Sequence, residues 1–386
     1  MMFLLKLLSR NAFRHRLRTL LTILGITVAI LAFGLLQTVV SAWYAGVNAS
    51  SSARLITRNA VSLVFSLPIS YQERIRRIEG VSSVSYANWF GGVYITEKNF
   101  FPNFAIEPQS YLALYPEFVL DPAHKRAFIS DRKGCVVGRK LAERFGWKIG
   151  DSVPLKGTIF PGNWEFVIRG IYTGAEKSTD ESQFFFHWAY LNETLKKTIP
   201  RRADQTGIYL IGLKNPQSAA EVSLAVDAAF KNSLAETLTE TEKAFQLSFV
   251  SMTEAIVVAI RIVSFVVIII IMVVVANTMA MTARERIGEY AIFKALGFQG
   301  HHVAGMVFGE SLFITTTGGF IGIMLTFPVA HTFGEVMGQF FPIFQVEKST
   351  LYMDMFFCLL VGVIAGLFPA WRAINIKIAD GLRRVG

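Results

Sequence analysis

Charged side chains are scarce in this 386-residue chain. Asp, Glu, Lys and Arg make up 17% of it, against about 25% in an ordinary soluble domain. With 52% apolar residues and a mean hydropathy of +0.43, that scarcity excludes a disordered chain and argues against a wholly water-soluble one. Cysteine is nearly absent, and two in this length exclude a disulfide scaffold. No G-x-x-x-x-G-K-S/T run occurs, so no P-loop is present to cradle phosphates. G-x-S-x-G is missing too, and no catalytic constellation replaces it.

What is there begins with four windows free of charge. Thr19–Ala53 runs 35 residues without Asp, Glu, Lys or Arg, Ile262–Ala283 runs 22, Ser311–Gly334 runs 24 and Met355–Trp371 runs 17. A membrane core of about 30 Å needs about 20 helical residues. Three windows meet that directly, and the fourth does so with Tyr352 and Met353 added and Asp354 placed at the interface. The first apolar stretch is longer than the h-region of a signal peptide, so it reads as a span and not as a cleaved leader.

Basic residues near the spans set the orientation. Residues 1–18 carry Lys6, Arg10, Arg14, Arg16 and Arg18 and no acid. The segment 282–302 and the tail 372–386 are also net basic, whereas the loop 335–351 is not. Both termini and 282–302 are therefore expected in the cytoplasm, and 43–254 outside it. Of the net charge of +10, the cytoplasmic pieces hold +9 and the large external piece +3, with −2 left for the spans and the short outer loop. The basicity is thus chiefly a topology signal. No basic stripe interleaved with aromatics exists to track phosphates, so nucleic acid is not expected as a partner.

The predicted organisation is a cytoplasmic amphipathic helix (1–18), a first span (19–42), an external domain (43–254), a second span with a preceding stalk (255–281), a cytoplasmic coupling helix (282–302), a third span (303–334), a short outer loop (335–351), a fourth span (352–371) and a cytoplasmic tail. The predicted class is an α-helical membrane protein with four transmembrane helices and an α+β extracytoplasmic domain on helical stalks. In that domain, Arg54–Phe65, a helix opened by Pro68 and the extended stretch Val81–Ile95 form a β-α-β unit. Gly207–Leu213, Ser218–Phe230 and Thr237–Thr241 form another. Between them, at about 105–200, lies an insertion: a buried strand Gly134–Gly138, a helix Arg139–Phe145 stopped by Gly146, and a strand Trp164–Tyr172. The absence of Pro and Gly from Thr241 to Val275 predicts one unbroken stalk helix. His124 and His187 have no ligand-like spacing, and Cys135 and Cys358 fall on opposite sides of a span boundary, so neither a metal site nor a disulfide is expected. The carboxylates read as solvated surface. Trp89, Phe90, Phe100, Phe101 and Phe104 read as core packing, or else as a contact surface.

Two cytoplasmic segments carry more. Lys6, Arg10, Arg14 and Arg18 recur every fourth residue opposite Phe3, Leu4, Leu7 and Leu8, the pattern of a helix anchored on anionic inner-leaflet lipid. Ala283–Gly297 reads ARERIGEYAIFKALG. Ile287, Ala291 and Ala295 form an apolar face with Tyr290 beside it, Glu285, Arg286 and Glu289 are polar, and Gly297 suits a helix C-cap. A short helix directly after a span is a natural lever.

At these residues the chain resembles a known family. ARERIGEYAIFKALG followed by GESLFITTTGGFIGIML is similar to the FtsX-like permease signature, and the tail FPAWRAINIKIADGLRRV resembles that family's ending. GCVVGRKLAERFGWKIGDSVPL followed by WEFVIRGIY resembles the MacB-type periplasmic core domain, and NAFRHRLRTLLTILGI is typical of its N-terminus. The resemblance covers nearly the whole chain. Two departures sit in the tail, where Lys377, Ile378 and Ala379 replace a usual proline stretch and Gly381 stands where alanine is common.

The resemblance implies a mechanotransmitting ABC transporter permease of the bacterial inner membrane, in a form without a fused ATPase domain. It implies a separate ATPase subunit that holds ATP and Mg, with no cofactor in this chain. It further implies a second permease copy as homodimer, and a periplasmic adaptor leading to an outer-membrane channel. The alternatives it leaves are lipoprotein or lipid extraction of the Lol type and FtsX-like signalling to a periplasmic partner. Arg284, Glu285, Arg286, Ile287, Gly288, Glu289, Tyr290, Ala291, Lys294, Ala295, Leu296 and Gly297 would couple to the ATPase. Glu310 matches the acid that opens the third span and is expected to form a structural ion pair with an arginine. Ser311, Gly318, Gly319 and Gly322 would allow close helix packing, within one subunit or between two.

Overall fold

The computed structural model describes residues 13–338, 341 and 343–375. Lys6, Arg10 and the tail beyond Asn375, with the family departures noted there, lie outside the described residues. The chain divides into two compact units, one centred on the long apolar helices and one spanning Tyr44–Met252.

Four helices of the first unit are long and apolar enough to cross a membrane. A 3-10 turn at Phe13–His15 leads into the first, Arg16–Trp43; the others are Glu254–Glu285, Gly300–Met337 and Lys348–Ile374. In hydrocarbon every backbone N–H and C=O must find its partner within the segment, so an uncharged aliphatic run of this length becomes a helix. Arg16 and Arg18 belong to the first span's own helix, with no break between residues 18 and 19. The seam between the spans is filled by Ile26, Ile30, Phe33, Ile268, Val275, Ile314, Val361 and Ala365. Phe33 sets its ring edge-on against Phe265 and Phe357, at 5.8 and 5.1 Å.

Leu20, Leu24, Ile262, Val266, Ile269, Ile270 and Val273 are exposed, while Thr27, Thr38, Ser264, Ser311, Thr315 and Thr326 are buried. Apolar residues outside and small polar residues inside is the arrangement that lipid demands. Asp354, expected at the interface, is instead fully buried in this bundle.

The expected unbroken stalk is interrupted. One helix ends at Met252 and the next begins at Glu254, with Thr253 between them in a non-helical conformation. The Thr253 hydroxyl accepts a hydrogen bond from Trp43 Nε1 at 2.8 Å.

The second unit is built on one long mixed sheet. From edge to edge its strands are Thr237–Thr241, Arg54–Asn59, Ile208–Leu213, Val81–Trp89, Asn103–Ile106, Phe184–His187, Gly134–Gly138, Gly162–Gly174, Ser152–Gly157 and Gly92–Val93. The first four are antiparallel neighbours. With the helices Tyr71–Arg76 and Ala219–Ala229 they make the two β-α-β units, in the order of a ferredoxin-like split fold. Those helices pack Ile75, Val222 and Val226 onto Leu55, Val84, Tyr209 and Ile211. The insertion is not a separate sheet. Its first strand pairs with Val81–Trp89, Ala87 opposite Ile106, so the sheet runs on unbroken.

Pro68 does not open a helix. It sits in a two-residue strand opposite Gln205, and its carbonyl accepts the Tyr209 hydroxyl at 2.6 Å. Lacking an N–H, it suits an edge. Gly146 stops its helix as expected, at φ +67°, a conformation that costs glycine little. Phe90 and Phe101 are core residues, but Trp89 and Phe100 are exposed with their rings 6.1 Å apart. The core-packing expectation thus holds for Phe90 and Phe101, whereas Trp89 and Phe100 lie outside the core.

Candidate functional site

The segment after the second span folds as a helix over Ile287–Ala295, set off from Glu254–Glu285 by a break at Arg286. Its end is a Schellman cap. Phe298 N–H donates to Phe293 O at 3.0 Å and Gly297 N–H to Lys294 O at 3.1 Å, with Gly297 at φ +92°. The C-terminal end of the nine-residue helix is thus closed by backbone hydrogen bonds.

Its buried face differs from the expected one. Arg286, Tyr290 and Ala291 are buried, Ile287 is half-buried and Ala295 is exposed. Tyr290 and Ala291 pack with Ala283, Val303, Ala304, Val307, Ala370 and Ala373, which come from the second, third and fourth spans. Over so short a helix, Ile287/Ala291/Ala295 and Arg286/Tyr290/Ala291 are adjacent faces. The arginine's burial chooses between them, and its charge hid that choice in the sequence. The opposite face leaves Ile292, Leu296 and Phe298 exposed.

Polar contacts bind this segment to three spans. Arg18 on the first span donates twice to Glu285, at 2.7 and 2.8 Å, and Arg14 pairs with Glu289. Arg286 Nη1 donates to Glu310 Oε2 of the third span at 2.6 Å and Arg286 Nε to Glu289 Oε2 at 3.3 Å. Lys294 Nζ donates to Ile374 O at the end of the fourth span, at 2.5 Å. Burial, the largest single influence, would lower the Arg286 pKa, but Glu310, Tyr290 and Glu289 together more than offset it and hold the guanidinium above its ordinary value. Burial pushes the Tyr290 phenol up to about 12.

Arg14 and Arg18, placed by sequence on a lipid-facing helix, thus turn toward acids of the same chain. Glu310 has its arginine. Arg284 is exposed, and Gly288 lies half-buried on the coupling helix.

The small residues of the third span are occupied within the chain. A Cβ on Gly318 would lie 2.9 Å from Ile23 O, and one on Gly322 would lie 2.9 Å from Thr27 O, both on the first span. Gly319 faces Cys358, and Ser311 Oγ donates to Gly362 O at 2.7 Å, both on the fourth. The third span is therefore wedged between the first and fourth at these positions.

A cluster that sequence reasoning missed lies in the extracytoplasmic unit. Arg54 is buried and donates to Glu242 at 2.8 Å and to Glu117 at 2.6 and 3.1 Å. The Tyr115 hydroxyl donates to Glu242 at 3.0 Å, and Ser51 N–H donates to it at 2.8 Å. Glu242 and Glu181 are buried, against the expectation that the carboxylates are solvated. Glu242 begins the helix whose chain continues to the second span, and Arg54 begins the first strand after the first span. The cluster ties both crossing points to Glu117 of the insertion. No local signal marks it, since the partners are far apart in sequence.

Among the described residues no group of His, Cys, Asp and Glu could hold a metal ion.

Two family models match the chain. The model of the MacB-like periplasmic core domain matches residues 19–229, and that of the FtsX-like permease C-terminal domain matches 261–378. An uncharacterised ABC transporter permease of Methanocaldococcus jannaschii is 24% identical over 97% of this chain and 96% of its own length. The macrolide export ATP-binding/permease protein MacB of Shewanella sp. (strain W3-18-1) is 23% identical over 60% of this chain, but over only 36% of its own length. Among solved structures, the extracellular domain of the noncanonic ABC-type transporter YknZ from Gram-positive bacteria covers 49% of this chain at 10% identity, with a TM-score of 0.36. The chain belongs to the ABC transporter permeases that join a MacB-like periplasmic core domain to an FtsX-like permease domain.

Proposed function

We propose that this permease works with a separate ATPase subunit and converts ATP-driven closure in the cytoplasm into movement of its extracytoplasmic domain. The observation that carries the reading is the coupling helix. The segment that contains it is tied to three spans, by Arg18–Glu285 at the end of the second span, Arg286–Glu310 at the break and Lys294–Ile374 O on the helix itself, while Ile292, Leu296 and Phe298 are left exposed. A force applied to the exposed face has stiff paths into the bundle.

In this reading both termini and the coupling helix are cytoplasmic and the chain sits in a bacterial inner membrane. ATP and Mg are held by the partner, and two copies of this chain form a homodimer. The extracytoplasmic domain pushes a substrate outward through a periplasmic adaptor and an outer-membrane channel.

Co-purification with the ATPase tests the contact. Leu296→Glu places a charge on the exposed apolar face without touching the core. It is expected to abolish co-purification while the permease still accumulates in the membrane. Undiminished co-purification would remove the coupling helix from the ATPase contact.

A further inference from the structure

Among its described residues the membrane unit buries two acids, Glu310 and Asp354. Glu310 has Arg286 at 2.6 Å. Asp354, on the fourth span, has no such partner. It is fully buried, and neither carboxylate oxygen makes a hydrogen bond among the described residues. It lies six residues past Lys348, about 9 Å along the helix. This is the end of the bundle from which the first span leads to the extracytoplasmic unit.

Three spans meet at this carboxyl. A Cβ on Gly34 of the first span would lie 2.9 Å from Asp354 Oδ2 and 3.1 Å from Thr326 Oγ1 of the third. The glycine leaves the room that the carboxyl fills. The nearby hydroxyls are spent on their own helices: Thr38 donates to Gly34 O at 2.7 Å and Thr326 to Gly322 O at 2.9 Å. Gln37 Nε2 donates to Ser264 Oγ at 3.0 Å, and Ser264 donates to Arg261 O at 2.7 Å. No charged side chain of the first, second or third span acts on Asp354. Among the described residues its titratable neighbour is Cys358, a turn along its own helix, whose thiol donates to Thr315 O at 2.9 Å.

A carboxylate with neither a donor nor a cation, walled by helices that face lipid, is too costly to keep ionised. A second copy of the chain cannot supply the missing charge, because the group is covered by its own chain. We propose that Asp354 is a proton-binding site: its carboxyl carries a proton while the first, third and fourth spans are packed around it, and gives that proton to water when they part. The step is a simple exchange, COOH to COO⁻ plus H⁺, with no other reactant. Because the packed form binds the proton, acid favours packing and alkali favours separation. Movement of the spans is thereby linked to proton uptake and release, independently of whether an ATPase drives it.

The test uses the full-length protein in lipid nanodiscs and infrared difference spectra across a pH titration. The wild type is expected to show a protonated-carboxyl band at neutral pH, and Asp354→Asn is expected to lose that band. Thermal stability of the wild type should fall as pH rises above neutral, while Asp354→Asn, which keeps the shape of the neutral group, stays flat over that range. Should Asp354→Asn fail to accumulate, Asp354→Glu serves instead, and the band must shift rather than persist unchanged. Absence of any such band in the wild type would overturn the proposal. So would its replacement by a carboxylate band on adding sodium at fixed pH, which would make the ligand a metal cation.

Discussion

Arg286 Nη1 lies 2.6 Å from Glu310 Oε2, and both side chains are buried. This contact joins the break before the coupling helix to the third span. A buried ion pair adds little net stability, because desolvation offsets attraction, but removing one partner strands the other. Glu310→Ala and Arg286→Ala should therefore each cost about 3–5 kcal/mol. The double replacement Arg286→Met with Glu310→Leu should restore most of that loss. Thermal unfolding of the detergent-solubilised protein measures the cycle, and additive losses would show that the pair is not coupled.

The two alanines of the coupling helix separate folding from transmission. Ala291 is fully buried and Ala295 is exposed. Ala291→Glu should reduce the amount of folded protein. Ala295→Glu should leave it unchanged and still uncouple ATP hydrolysis from transport. Comparing membrane accumulation with transport for the pair checks this, and normal transport by Ala295→Glu would refute the lever.

Gly322→Val tests where the small residues pack. A Cβ there meets Thr27 O at 2.9 Å and Ile30 at 3.0 Å within the same chain. Overpacking of this kind costs about 1–3 kcal/mol. Unfolding temperature should drop while the oligomeric state, read by light scattering, stays as in the wild type.

The extracytoplasmic unit should lose stability when its crossing points are cut apart. Glu242→Ala leaves the buried Arg54 with Glu117 and the Leu114 carbonyl and removes the acceptor of the Tyr115 hydroxyl. The expected cost is about 3–5 kcal/mol. Limited proteolysis should then cleave near residues 114–117 faster than in the wild type.

His187 gives a pH dependence of known sign. Burial lowers its pKa, although its Nε2–H donates to Phe128 O at 2.6 Å. Below about 6.5 the unfolded chain binds a proton that the folded one refuses. Its contribution is fully present above that pH and is lost as pH falls through the lower, folded value. Denaturation midpoints between pH 7 and 5 should fall more steeply in the wild type than in His187→Gln.

The four spans were legible because lipid imposes one simple rule, an uncharged run of fixed length. The strand Gly134–Gly138 and the cap at Gly297 were legible because local chemistry decides them. Asp354 was misplaced because in a span both the bundle face and the lipid face are apolar, so periodicity cannot say which one an acid occupies. The buried face of the coupling helix was shifted for a related reason: Arg286 turns inward only because Glu310, 24 residues later, receives it. Arg54, Glu117 and Glu242 looked like surface charges because their pairing depends on contacts between distant parts of the chain. The break in the stalk at Thr253, whose hydroxyl accepts from Trp43, is announced by no local pattern.

The central claim is that the coupling helix carries ATP-driven force to the extracytoplasmic domain. Both native cysteines are buried, so a spin label can be placed selectively at Leu234→Cys, a fully exposed site of that domain. The distance between the labels of two copies, measured with the ATPase present and with or without ATP, tests the claim directly. The account predicts a nucleotide-dependent change in the otherwise wild-type protein and none once Ala295→Glu is added. A change of equal size in both, or no change in either, would contradict it.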